Sequence, residues 1–242
     1  MANIDNLRGI IFDYGGTLDS RGDHWSEVIY DVWQDTCPGV SYEQFRPAYI
    51  EGERALAREP LVRPGDDFAA VMRLKLGVQA RWLHENGALE HPISPAEIDL
   101  MARRCSDSAR EALDEARPVL EALAARYPLM VVSNFYGNLN TVLDTYDVRR
   151  YFRGVVESSV IGLRKPDPRI FGVGCYALGL DPVQVLVVGD GISKDLVPAA
   201  SLGCATAWVE GRPWRGDAPE LPAGLDPVCR GKLENVALTL LT

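Results

Sequence analysis

Short apolar runs that each stop at a polar residue alternate with helical patterns along most of this chain, and that alternation limits its fold most. The runs are residues 7–13 (LRGIIFD), 128–133 (PLMVVS), 154–158 (GVVES), 185–190 (VLVVGD) and 205–209 (ATAWV). Each is rich in Val and Ile and bounded by Gly, Pro or polar residues, which is strand texture. Helical spacing fills 118–126, 139–146, 168–178 and 194–202 between them. Strands alternating with helices of this length close as right-handed crossovers, so an α/β fold with a parallel sheet covered on both faces is expected.

The first crossover breaks the pattern. Residues 20–115 separate the first strand from the second, where a simple crossover needs about a dozen. This stretch reads as helix throughout. Val28, Ile29, Val32 and Trp33 fall at helical spacing, and Ser41-Tyr42-Glu43-Gln44 opens a second helix as a capping box. Residues 66–85 form a third helix stopped by Asn86-Gly87, and Ser94-Pro95-Ala96-Glu97 starts a fourth with a cap, a first-turn proline and an acidic third position. The expected organisation is an α/β core domain of 1–19 and 116–242 carrying an inserted helical bundle of 20–115.

Composition narrows the functional classes. The 242 residues, 47% hydrophobic, suffice for one sizeable core and a smaller domain. A formal net charge of −9 argues against a nucleic-acid footprint, which needs clustered Lys and Arg to neutralise phosphates. Lysine occurs only at Lys75, Lys165, Lys194 and Lys232, so each position is informative. Five widely spaced cysteines with no C-x-x-C pair fit buried thiols in a reducing compartment. MANIDNLRG lacks a basic stretch leading into an apolar one, and no segment approaches the length of a membrane span. A cytoplasmic protein with no membrane or nucleic-acid partner is expected; the sequence does not indicate its oligomeric state.

Four stretches place chemistry at strand ends. Asp13 ends the first run in IIFDYGGTL, and Ser133-Asn134 ends the second. Lys165 follows the third in GLRKPD, and Asp190 ends the fourth in VVGDGISKDL with Asp195 five residues on. In a parallel sheet these ends share one edge, so carboxylates, a lysine and a hydroxyl converge on one crevice. Such a cluster repels itself without a cation, and hard oxygen ligands suit Mg²⁺, which also neutralises a bound phosphate.

These four stretches, in this order, resemble the motifs of the haloacid dehalogenase superfamily, and specifically of its members with a helical cap inserted after the first motif. The resemblance covers nearly the whole chain and implies a Rossmann-like core. It implies that Asp13 is a nucleophile forming an aspartyl-phosphate. Ser133, with Asn134, Gly16 and Thr17, would hold phosphate oxygens, and Lys165 would stabilise the group in transit. Asp13, Asp190 and the Gly15 carbonyl would hold Mg²⁺, with Asp195 in support. A small phosphorylated molecule is the implied substrate.

The chain departs from the family at Gly15, where most phosphatases of the superfamily carry a second aspartate that protonates the leaving oxygen. What is lost is general acid and base catalysis, worth about 10²- to 10⁴-fold. Three explanations are open: Asp23 or His24 at the hinge into the cap supplies the group; the substrate is an acyl or aryl phosphate whose leaving group needs no proton; or the chemistry differs. A phosphonate-cleaving branch of the family uses a cap lysine, and Lys75 is the only one in the insert, although its spacing is that of a helix-surface residue. Arg54, Arg58 and Arg63 are candidates for contacting an anionic substrate. The competing class is a protein that binds a phosphorylated ligand or partner without efficient turnover.

Overall fold

Six strands form one sheet in the computed structural model, which describes residues 4–242; residues 1–3 of the expected core segment lie outside the described residues. The strands are β1 Gly9–Phe12, β2 Leu129–Ser133, β3 Phe152–Glu157, β4 Val185–Gly189, β5 Ala205–Val209 and β6 Cys229–Gly231. Their order is β3-β2-β1-β4-β5-β6, and all neighbours run parallel. The central strand β1 pairs Phe12 with Val131 on one side and with Val188 on the other. The direction of winding reverses between β1 and β4, and the crevice outside that point is where open α/β sheets bind ligands.

Alternation along each strand explains why the apolar runs are nearly continuous. Ile10, Phe12, Val131, Leu186 and Val188 enter one core, while Ile11, Met130, Val132, Val185 and Val187 enter the other. Both faces are buried, so neither tolerates polar residues.

Between β1 and β2 lie four helices, α1 Trp25–Thr36, α2 Tyr42–Arg58, α3 Phe68–Glu85 and α4 Pro95–Ala124. Capping boxes at Ser41 and Ser94 form as their sequences require. The third helix begins two residues later than expected, because Asp67 is its cap and accepts from the Ala70 amide. A larger correction concerns α4. Residues 118–126 were expected to be a separate helix, yet 30 residues run on as one helix with Pro118 inside it. Its apolar stripe continues through Leu113, Ala116, Leu120 and Leu123, all buried, and that burial outweighs the lost proline hydrogen bond. One helix therefore belongs to both the bundle and the sheet's cover.

The remaining helices are α5 Leu139–Thr145, α6 Ser158–Ile161, α7 Arg169–Leu178, α8 Val197–Ser201 and α9 Glu234–Leu241, with a wide turn Ile192–Leu196 ahead of α8. The sheet's last strand, β6, is three residues long and was not expected; nothing in its Cys-Arg-Gly sequence marks it as a strand. No helix among the described residues is long and apolar enough to cross a membrane.

Helix α7 packs on the sheet through Gly174, where a Cβ would come within 2.8 Å of Val132 Cγ2 and 2.9 Å of Ile11 Cδ1. Gly174→Ala is expected to destabilise the fold by about 1–3 kcal/mol, read as a lower urea midpoint at unchanged m-value.

Candidate active site at the carboxyl edge of the sheet

Asp13 is the first residue after β1 and is buried. One of its oxygens, Oδ1, accepts from the Tyr14 amide at 2.6 Å and from Ser133 Oγ at 2.8 Å, and lies 2.7 Å from Lys165 Nζ. No hydrogen bond engages Oδ2 among the described residues, and Asp13 lines the large cavity beneath the helical insert. The carboxylate is thus oriented through one oxygen and left with the other.

Lys165 Nζ also lies 2.7 Å from Asp195 Oδ1. Burial alone would lower the lysine's proton affinity, but Asp13 and Asp195 raise it above the ordinary value, so the ammonium stays charged. Its loop is clasped by Asn134, whose Nδ2 donates to the Lys165 carbonyl at 3.1 Å while its Oδ1 accepts from the Lys165 amide at 2.9 Å. Asp195 in turn accepts from the Gly191 amide at 3.0 Å.

Across the crevice, Thr17 Oγ1 donates to Asp190 Oδ1 at 2.8 Å and accepts from the Asp190 amide at 3.0 Å. Gly16 has φ 97°, and a Cβ there would lie 2.5 Å from the Asp190 carboxylate. Glycine is therefore needed at 16 for both reasons. Asp13, Asp190 and Asp195 bring oxygens within 4.8 Å of one another. Burial and the other two carboxylates push Asp190 well above the usual carboxylate range, and burial raises Asp195 to about 6 against the pull of Lys165. Two buried carboxylates, Asp13 and Asp195, flank one ammonium with the half-buried Asp190 beside them, and this hard-oxygen set fits a divalent cation such as Mg²⁺.

Of the residues expected here, Asp13, Gly15, Gly16, Asn134, Asp190 and Asp195 line one cavity of about 740 Å³. Ser133, Lys165 and Thr17 are buried beneath it and act by holding the carboxylates. Position 15 is sterically open: its φ lies outside the left-handed region, and a Cβ would meet only Trp25 Cδ1, at 4.0 Å.

Several expectations are corrected. Asp23 does not reach the cavity; it accepts from the Arg212 amide at 2.7 Å and from Arg212 Nε at 2.8 Å. His24 does line the cavity, but it is the N-cap of α1, its Nδ1 accepting from the Ser26 amide. Burial, with Lys194 nearby, lowers its pKa to about 4, so the imidazole is neutral. Arg54, Arg58 and Arg63 are exposed and do not line this cavity. Lys75, expected on a helix surface, is buried, its Nζ 2.6 Å from Glu53 Oε1, while Tyr136 OH donates to Glu53 Oε2 at 2.9 Å. Burial would lower its proton affinity, but Glu53 raises it strongly.

Two features carried no sequence signal. The segment between β5 and β6 straps the core to the helical insert: Arg212 also reaches Asp31 at 2.8 Å, Trp214 stacks 4.9 Å from His24 and 5.2 Å from Tyr49, and the Arg215 amide donates to Glu27. Asp19 is fully buried, with Oδ1 accepting from the Gly16 amide at 2.8 Å and from Trp25 Nε1 at 3.0 Å and Oδ2 unpartnered.

A family model described as haloacid dehalogenase-like hydrolase matches residues 7–203, and the chain belongs to that family. It is 35% identical over 88 residues to a phosphoserine phosphatase from Thermus thermophilus, covering 36% of this chain and 34% of that protein. The chain spans between a third and two thirds of the length of the first curated relatives it matches. Among solved structures, the HAD-hydrolase YfnB from Bacillus subtilis bound to magnesium superposes with TM-score 0.59 at 17% identity, covering 98% of this chain and 99% of that one. The L-2-haloacid dehalogenase RSc1362 superposes with TM-score 0.66 at 18% identity over the same shares. A magnesium-bound hydrolase and a dehalogenase thus share this fold.

Burial, opposed by its hydrogen bonds, raises the Asp19 carboxyl from 3.8 to about 7. A carboxyl that holds its proton more tightly when folded contributes stability below pH 3.8, lost as pH rises through about 7. Asp19→Asn keeps the acceptor and removes the charge, so it is expected to be more stable than the wild type at pH 8, by up to about 4 kcal/mol, and to narrow that gap at pH 4. Thermal melts across that range check it.

Proposed function

We propose that this chain is a Mg²⁺-dependent phosphohydrolase acting on a small phosphorylated molecule through an aspartyl-phosphate on Asp13. The observation that carries this reading is the Asp13 carboxylate, whose Oδ1 is fixed by Tyr14, Ser133 and Lys165 while Oδ2 is left without a hydrogen bond at the cavity. A carboxylate held that way can attack only along one direction, which is the positioning a nucleophile needs.

Asp13, Asp190 and the Gly15 carbonyl would hold Mg²⁺, with Asp195 in support, and the ion would offset the negative charge of the phosphoryl group. The chain's own residues do the rest. Lys165 places a buried positive charge beside the carboxylate that attacks, and Ser133 holds the same non-attacking oxygen, Oδ1. Asn134 keeps Lys165 in place through two backbone hydrogen bonds. The helical insert, residues 20–115 over a core of 1–19 and 116–242, serves as a cap that excludes water.

The relative named as a phosphoserine phosphatase and the neighbour bound to magnesium support this reading. The free cysteines fit a reducing, cytoplasmic setting. Phosphonate cleavage through an imine on Lys75 is disfavoured, because Glu53 holds that ammonium's proton and a protonated amine is no nucleophile.

Hydrolysis of 4-nitrophenyl phosphate is expected to stop on chelation and return with Mg²⁺. Asp13→Asn, folded by circular dichroism, is expected to lose at least about 10³-fold in kcat/KM. Turnover at the wild-type level by that variant would overturn the reading, and a folded wild type that binds Mg²⁺ without turnover would favour a ligand-binding protein.

A further inference from the structure

The cavity that receives Asp13 has a second character away from the carboxylates. Trp25 and Phe68 face each other with ring centroids 5.0 Å apart, and Trp214 packs between His24 and Tyr49 at 4.9 and 5.2 Å. At about 740 Å³ the space far exceeds what a two- or three-carbon phosphate would fill. Aromatic walls favour a planar, apolar partner over a polyol.

The acid that an alkyl ester needs is missing from the same cavity. Position 15 could carry a side chain, since neither backbone nor neighbours forbid one, yet it is glycine. The nearby substitutes are paired, enclosed or out in solvent. Asp23 pairs with Arg212, Glu53 is shared by Lys75 and Tyr136, and Asp19 is fully buried, its Oδ1 taking the Gly16 amide and Trp25 Nε1 and its unpartnered Oδ2 enclosed by protein. His24 uses Nδ1 to cap α1 and is neutral, so it brings no surplus proton. Asp217 and Glu220, the other carboxylates on the cavity's rim, are exposed on the strap.

We infer that the substrate is an aryl phosphate, the phosphate monoester of an aromatic hydroxyl, whose ring occupies the aromatic side of the cavity and whose oxygen departs as the anion. This inference rests on the phosphohydrolase reading above. In the first step Asp13 Oδ2 bonds to phosphorus, the bond from phosphorus to the ring oxygen breaks, and its electron pair leaves with that oxygen. The phenolate is stable enough to depart unprotonated and takes its proton from water. In the second step water bonds to phosphorus, Asp13 leaves as the carboxylate with the electron pair of its P–O bond, and both of the water's protons stay on the inorganic phosphate.

Phenyl and benzyl phosphate separate ring from leaving group, since both carry the ring but only phenyl phosphate releases a stabilised anion. The expected kcat/KM for phenyl phosphate exceeds that for benzyl phosphate by at least about 100-fold, the size of the missing acid's contribution. Gly15→Asp is expected to shrink that ratio at least about 10-fold. Trp214→Ala is expected to lower kcat/KM more for phenyl phosphate than for acetyl phosphate, which has a good leaving group and no ring. Equal kcat/KM for phenyl and benzyl phosphate, both lost in Asp13→Asn, would overturn the aryl inference and leave the phosphohydrolase standing. Acetyl phosphate hydrolysed with phenyl phosphate untouched would do the same. Turnover of none of the three would remove both readings.

Discussion

Lys165 is the interaction on which the site depends. Its ammonium is buried between Asp13 and Asp195, 2.7 Å from each, a positive charge set among three clustered carboxylates. An isolated charge of either sign would be unstable there, and breaking a buried pair by removing one partner costs about 3–5 kcal/mol. Strand-end geometry forces the carboxylates together, and the lysine makes their proximity tolerable. The same pairing that permits the cluster also fixes Oδ1 of Asp13, the carboxylate proposed to attack.

The rest of the architecture keeps that contact in register. Asp13 and Asp190 follow β1 and β4, the neighbouring strands between which the sheet's winding reverses. Thr17 holds Asp190 from the turn after β1, where Gly16 leaves room for its carboxylate, and Asn134 holds the lysine's loop from the end of β2. The helical insert is then tied to the core twice, by the continuous helix α4 and by the strap of Arg212, Trp214 and Arg215. This double attachment places the aromatic wall in the same cavity as the carboxylates.

Much of this was legible in the sequence, for local reasons. Five strands and both Ser-initiated capping boxes follow from periodicity and short-range hydrogen bonding, and Asp13, Ser133, Lys165 and Asp190 were readable because each closes or follows an apolar run. What was missed depends on partners distant in sequence. Lys75 looks like a surface lysine until Glu53, on another helix, is placed against it. Pro118 looks like a break until the buried stripe on either side is seen to continue. The strap reads as a Gly- and Pro-rich surface loop, and Asp19 as one more turn residue, because neither shows a pattern of its own. Gly15 is the opposite case: its absence of a side chain was plain in the sequence, but only the structure shows that nothing steric requires it.

The most direct measurement is the covalent state of Asp13 during turnover. Protein mixed with Mg²⁺ and 4-nitrophenyl phosphate, quenched in acid and reduced with borohydride, would convert an aspartyl-phosphate to homoserine. Peptide mass spectrometry that finds homoserine at position 13, and nowhere in Asp13→Asn, is the predicted result. Phosphate release with residue 13 recovered as unmodified aspartate throughout would contradict the account.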